Sequence, residues 1–135
     1  NSNNVPSSQL HSVNGITVHE SIANSFAALL AAARADGIVL SGGGYRSAAS
    51  QIALSRAHCG SSQYAIYEMS ASQCRPPTAR PGHSMHERGL AVDFTEGGRT
   101  LRRDSPGYQW MVNNAGKYGF INLRSEPWHW STNGR

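Results

Sequence analysis

"PGHSMHERGLAVDF", residues 81–94, is the stretch from which the rest of the chain can be read. It sets two histidines, a glutamate and an arginine before Leu90-Ala91-Val92-Asp93-Phe94, a short run that predicts a buried strand. Alternation along a strand puts Leu90, Val92 and Phe94 on one face and Ala91 and Asp93 on the other. Asp93 thereby leaves the core and points into a cleft, and Gly89 permits a turn back to His86. A carboxylate in such a place needs a cation, because an unpaired buried charge is costly. An arginine meets that need, and so does a metal held jointly with His86. This stretch alone leaves both open.

A second cluster lies near the C-terminus. "SEPWHW", residues 125–130, offers Glu126 and His129 between bulky aromatics. Two histidines and one carboxylate leave a fourth position free, the arrangement of a catalytic zinc site rather than a closed structural one. Glu126 is then the spare carboxylate that takes a proton from the attacking water. Residues 126 and 129 face opposite ways in an ideal strand, so Pro127 or a twist has to bring Glu126 round. Trp128 and Trp130 are expected to pack around His129 and position its ring, with a pocket wall as the alternative role for one of them.

Helical and extended patterns alternate through the rest of the chain, without repeats. Residues 1–15 are rich in Asn and Ser and read as an arm or linker, which leaves 16–135 as one domain. Thr17-Val18-His19-Glu20 has the form of a capping box, and Ile22, Phe26, Leu29, Leu30 and Ala33 follow at helical spacing until Gly37. Ile38-Val39-Leu40 reads as a strand and "SGGGYRS" as a loop, with Ser47 capping a second helix to about His58. Ser105-Pro106 opens a third helix that ends near Gly119, and Phe120 to Trp130 is a final strand region. The expected class is α+β, a small antiparallel sheet with helices packed on it.

Composition excludes several classes of function. The 135 residues suffice for one domain with a real core. No apolar run approaches the roughly 20 residues of a membrane span. The chain opens at Asn1 without an initiator Met or a signal peptide, as expected of a processed product or an excised domain. A net charge of +4, nearly all arginine with Lys117 the only lysine, suits anionic surroundings such as cell-wall polymers. There is no basic run interleaved with aromatics, so nucleic acid is not an expected partner. Cys59 and Cys74 suit a disulfide closing a loop, which points to an oxidising compartment; two unpaired thiols are the alternative. His11, His19 and His58 stand isolated and read as surface residues, and His83 beside Gly82 has little to recommend it.

The ordered pattern Ser84-x-His86-x-x-Gly89-x-Ala91-x-Asp93, then Glu126-x-x-His129, resembles the zinc-dependent D-alanyl-D-alanine carboxypeptidases and related peptidoglycan peptidases. That VanY-like family shares its fold with the Hedgehog signalling domain. "GYRS" at 44–47, with Gln51 beyond it, also resembles the family's substrate-binding segment, and the likeness runs from about Ile38 to Trp130. The resemblance implies that His86, Asp93 and His129 hold Zn2+ and that Glu126 is the general base. It implies that Arg46 polarises the scissile carbonyl or holds a substrate carboxylate, with Ser84 and Gln51 as further substrate contacts. The implied substrate is a peptidoglycan stem peptide, cleaved by a monomer that is secreted or associated with the wall. Release of terminal D-Ala is the leading reaction, cleavage within the stem the alternative, and a non-catalytic wall-binding module the rival from another class.

Overall fold

The computed structural model describes residues 5–135. After a 3-10 turn at Ser7–Gln9 the chain forms a hairpin, Leu10–Val13 (β1) and Ile16–His19 (β2), paired antiparallel. Its turn is Asn14-Gly15, with φ of 51° and 82°. Positive φ at both central residues is what the tight type I′ connection demands, and Asn-Gly supplies it. Within the arm or linker expected over residues 1–15, Leu10–Val13 is a strand; residues 1–4 lie outside the described residues. The capping box also gives way. Pairing with β1 keeps residues 16–19 extended, and the cap is His19, whose Nδ1 accepts from the Ser21 amide at 3.0 Å.

Helix α1, Glu20–Ala35, buries Ile22, Phe26, Leu29, Leu30 and Ala33, the residues its spacing predicts, and ends before Gly37. The next strand, β3, runs Leu40–Gly43 rather than from Ile38, whose amide is still bonded to the Ala33 carbonyl at the end of α1. Ser47 caps α2, Ala48–Cys59, accepting from the Ser50 amide at 3.1 Å, and a short α3 follows at Gln63–Tyr67. A 3-10 turn at Met85–Arg88 leads into β4, Ala91–Glu96, and β5, Arg99–Thr100. Helix α4, Pro106–Asn114, continues as a 3-10 turn at Ala115–Tyr118 before β6, Ile121–Leu123, and β7, Glu126–Ser131.

The main sheet has the order β3-β4-β7-β6, with β5 on β4, and every pairing is antiparallel. The fold is α+β, as expected. The parity read for β4 holds: Val92 and Phe94 have no exposed surface and join α1 in the core, while Asp93 faces the other way and is half-buried. The rings of Phe26, Phe94 and Phe120 meet at 5.8–6.5 Å between centroids, tying helix to sheet. Cys59 and Cys74 are joined in a disulfide that ties the end of α2 to the loop ahead of the 81–94 stretch.

Candidate metal centre and active site

Asp93 and His129 are direct cross-strand partners on β4 and β7, so the sheet itself brings carboxylate and imidazole together. His86 arrives from the 3-10 turn. Asp93 Oδ1 lies 2.9 Å from His129 Nδ1 and 3.0 Å from His86 Nε2, and those two nitrogens are 3.2 Å apart. The other ring nitrogens define the tautomers. His86 Nδ1 is 2.8 Å from the Gly44 carbonyl and His129 Nε2 is 2.6 Å from the Arg135 carbonyl. A carbonyl only accepts, so those nitrogens carry the protons. The remaining nitrogens, His86 Nε2 and His129 Nδ1, face Asp93 Oδ1: a protonated ring donates to it, and a neutral one turns a lone pair toward the same spot.

Three acceptors at this spacing need positive charge among them, either an imidazolium proton or a metal ion. Two imidazole nitrogens and one carboxylate, each ring fixed from behind by a carbonyl, are the donors and outer support of a catalytic zinc site. The residues fit that metal. Burial opposes ionisation of Asp93, but hydrogen bonds from His129 and His86 hold it well below the usual carboxylate range. Burial likewise opposes a charge on His129, yet Asp93, the Arg135 carbonyl and Glu126 push it above its ordinary value.

Glu126 reaches the same site through an irregularity that sequence alone could only require. The β6–β7 register shifts between Asn122, opposite Trp130, and Leu123, opposite Glu126. Asn122 spans the bulge, donating from Nδ2 to the Glu126 carbonyl at 2.9 Å and to the His129 carbonyl at 3.0 Å. Extra residues on one strand re-aim its side chains. Glu126 and His129 thereby line one cavity of about 520 Å3. Burial, chiefly, pushes the Glu126 carboxyl up.

Arg46 completes the cluster. Its amide donates to the His86 carbonyl at 2.9 Å, returning the bond from His86 to Gly44, so loop and turn are clasped twice. A Cβ on Gly44 would lie 2.2 Å from the Thr17 carbonyl oxygen, which is why the loop needs glycine there. The guanidinium lies 3.8 Å from Asp93 and donates to Gln51 Oε1 at 2.8 Å. Burial depresses the Arg46 pKa against Asp93, Glu87 and Glu126, which raise it.

Gln51, expected to touch substrate, has no exposed surface, and its Nε2 donates to the Ala79 carbonyl at 2.8 Å. Both ends of the amide are taken, so it holds Arg46 from behind. Ser84 lines the cavity, and its hydroxyl accepts from the His86 amide at 3.2 Å. Buried Glu87 closes a capping box there, accepting from the Ser84 amide at 3.2 Å and from the Gly82 amide. Trp130 is buried in the core, whereas Trp128 forms part of the cavity wall. His58 is not simply a surface residue: it and His83 also line the cavity.

Residues 15–135 match the family of VanY, described as D-alanyl-D-alanine carboxypeptidase. The chain belongs to that family. It is a peptidase by membership, and solved structures of family relatives share its fold. VanYB in complex with D-alanine-D-alanine is 26% identical with a TM-score of 0.67, over 90% of this chain and 75% of that one. A variant of the vancomycin-resistance D,D-pentapeptidase VanY, from a VanB-type cassette and in complex with Zn(II), is also 26% identical at 0.67. That match spans 97% of this chain and 83% of the other. The LD-carboxypeptidase LdcB is 27% identical with a TM-score of 0.61, over 85% and 58% of the two chains. No curated protein matches the chain.

Proposed function

We propose that this chain is a zinc D,D-carboxypeptidase that removes the terminal D-alanine of peptidoglycan stem peptides, with residues 16–135 as its peptidase domain. His86, Asp93 and His129 hold the metal and Glu126 is the general base. The observation that carries this is the convergence of two imidazole nitrogens on the Asp93 carboxylate, with Glu126 and Arg46 lining the same cavity. The relatives solved with Zn(II) and with D-alanine-D-alanine support the same metal and ligand here.

When bound, zinc supplies a Lewis acid for the scissile carbonyl and makes water acidic enough to react near neutral pH. Glu126 takes the proton of the attacking water and returns it to the departing amine. Its raised pKa suits both halves of that transfer, since an effective base titrates near the working pH. Arg46 stays charged despite burial and faces the site with a rigid fork of donors, matched to a substrate carboxylate or a developing oxyanion. Gln51 and Ser84 hold Arg46 and His86 in place.

The disulfide supports an extracytoplasmic setting, where such bonds persist. Among the described residues no helix is long and apolar enough to cross a membrane. We place the protein outside the cytoplasm, at the cell wall, as a monomer.

The test separates base from ligand. Purified wild-type protein should bind one zinc and release single D-alanine from a defined pentapeptide stem. Glu126→Ala should keep its zinc while turnover falls by roughly 10² to 10⁴, the usual worth of a general base. His129→Ala should lose zinc and turnover together. A severed stem instead of free D-alanine makes the enzyme an endopeptidase; zinc lost from Glu126→Ala makes Glu126 a ligand.

A further inference from the structure

The His129 ring carries one proton when neutral, and two acceptors compete for it. Asp93 Oδ1 lies 2.9 Å from Nδ1, and the Arg135 carbonyl lies 2.6 Å from Nε2. A carboxylate is the stronger acceptor, so a ring free to choose would place its proton on Nδ1. That nitrogen faces Asp93 and His86, and it is the one a metal needs as a lone pair. Whatever holds the Arg135 carbonyl in place therefore decides whether His129 is ready for a metal.

The holder lies on the same strand. Alternation along β7 sends the side chains of His129 and Ser131 to one face, across from Asp93 and Ala91 of β4 respectively. Ser131 has no exposed surface. Its hydroxyl oxygen accepts from the Gly134 amide at 2.9 Å and from the Arg135 amide at 3.1 Å, with the Asn133 amide more distant at 3.4 Å. The hydroxyl proton goes to Asn133 Oδ1 at 3.1 Å, and that oxygen also accepts from the Arg135 amide at 3.0 Å. Bonds of this kind, from a serine to amides a few residues ahead, stabilise a tight turn. Gly134 takes a φ of 77° in it, and the chain doubles back to set the Arg135 carbonyl on His129. The His86 ring is held separately, by the Gly44 carbonyl of the loop before α2.

We propose that Ser131 is a positioning residue, whose hydroxyl builds the turn that keeps the His129 proton on Nε2 and so keeps Nδ1 open to the metal. The inference rests on the assignment of His129 as a zinc ligand. Partners standing behind a ligand in this way are worth about 10- to 100-fold in metal affinity.

The experiment reads the ring and the metal separately. Nitrogen-15 NMR of the metal-free protein, at a pH where the imidazoles are neutral, should find the His129 proton on Nε2 in the wild type and shifted toward Nδ1 in Ser131→Ala. His86 should keep its proton on Nδ1 in both proteins, which separates the effect from a general loosening of the fold. Zinc affinity, measured by competition with a chelator, should fall about 10-fold or more in Ser131→Ala. Should that variant not fold, amide hydrogen exchange of the wild-type protein decides. The Gly134 and Arg135 amides should be protected, since both bond to a buried oxygen. Unprotected amides, a His129 proton on Nδ1 in the wild type, an unchanged tautomer or zinc affinity in Ser131→Ala, or an equal displacement of His86 overturns the proposal. Those outcomes leave the carboxypeptidase reading standing. Wild-type protein that binds no zinc removes that reading, and this inference falls with it.

Discussion

Asp93 shows how much one residue's position decides. Inside an otherwise apolar strand it looks misplaced, yet strand parity sends it to the face where His86 and His129 wait. Its ionisation is secured by those partners, whereas Glu126, without such hydrogen bonds, is pushed upward chiefly by burial. Two carboxylates in one site are thus pushed in opposite directions by their surroundings, which suits the ligand and base roles proposed for them. A pH prediction follows from the direction of the second shift. As the proposed base, Glu126 would act only when ionised, so turnover should be lost as pH falls through a value above the ordinary carboxylate value of 4.5. The profile of kcat against pH, with zinc content measured at each point, checks it. An acid limb at or below 4.5 with zinc still bound would mean that Glu126 is not the titrating base.

At the scale of elements, the site is held by connections rather than by the strands alone. The β6–β7 bulge solves the parity problem of residues 126 and 129, and a single amide, Asn122, braces it from both carbonyls. Arg103 adds support from the α4 side, donating to the Arg124 carbonyl at 2.6 Å while its guanidinium sits over the Tyr108 ring. Asn122→Ala should leave the core and most zinc binding in place but loosen the aim of Glu126. We expect kcat to fall by about 10-fold or more, since a small misplacement of a catalytic group costs up to about 10². Substrate KM should change little. Steady-state kinetics with zinc analysis checks this, and an unaltered kcat would show that the bulge holds its shape without Asn122.

The whole molecule divides the labour between a rigid sheet and a loop-built wall. One side of the sheet is filled by α1 and the phenylalanine cluster, and the other carries the chemistry. The far wall of the cavity, formed by residues 71–72 and 76–79, is anchored by the Cys59–Cys74 disulfide, which joins residues 15 apart in sequence. In the chain-entropy model such a closure is worth about 3 kcal/mol. Reduction should therefore lower the melting temperature by roughly 10 °C, since each kcal/mol shifts a domain of this size by about 4 °C. Zinc should stay bound, because no ligand lies within the disulfide loop. Melting curves with and without reductant, alongside zinc content, test this; loss of zinc on reduction would tie the loop to the metal site.

The sequence by itself determined the α+β class, the buried face of α1 and the strand carrying Asp93, and it picked out His86, Asp93, Glu126 and His129, which the fold brings to one cavity. Each was legible because period and residue chemistry are local properties: Phe26 and Leu30 repeat with the helix, and Asp93 breaks an apolar alternation. Asn14-Gly15 was equally legible as a hairpin turn but was hidden by the polar composition around it. Tertiary structure alone decided the rest. The carbonyls of Gly44 and Arg135 that fix the two tautomers have no sequence signature, since every residue carries one. Asn122 became a brace only when a register shift set two carbonyls before it. His58 became part of the cavity only when the loop at 71–79 folded over α2. Backbone groups and long-range register carry such roles, and they exist only once distant parts of the chain have met.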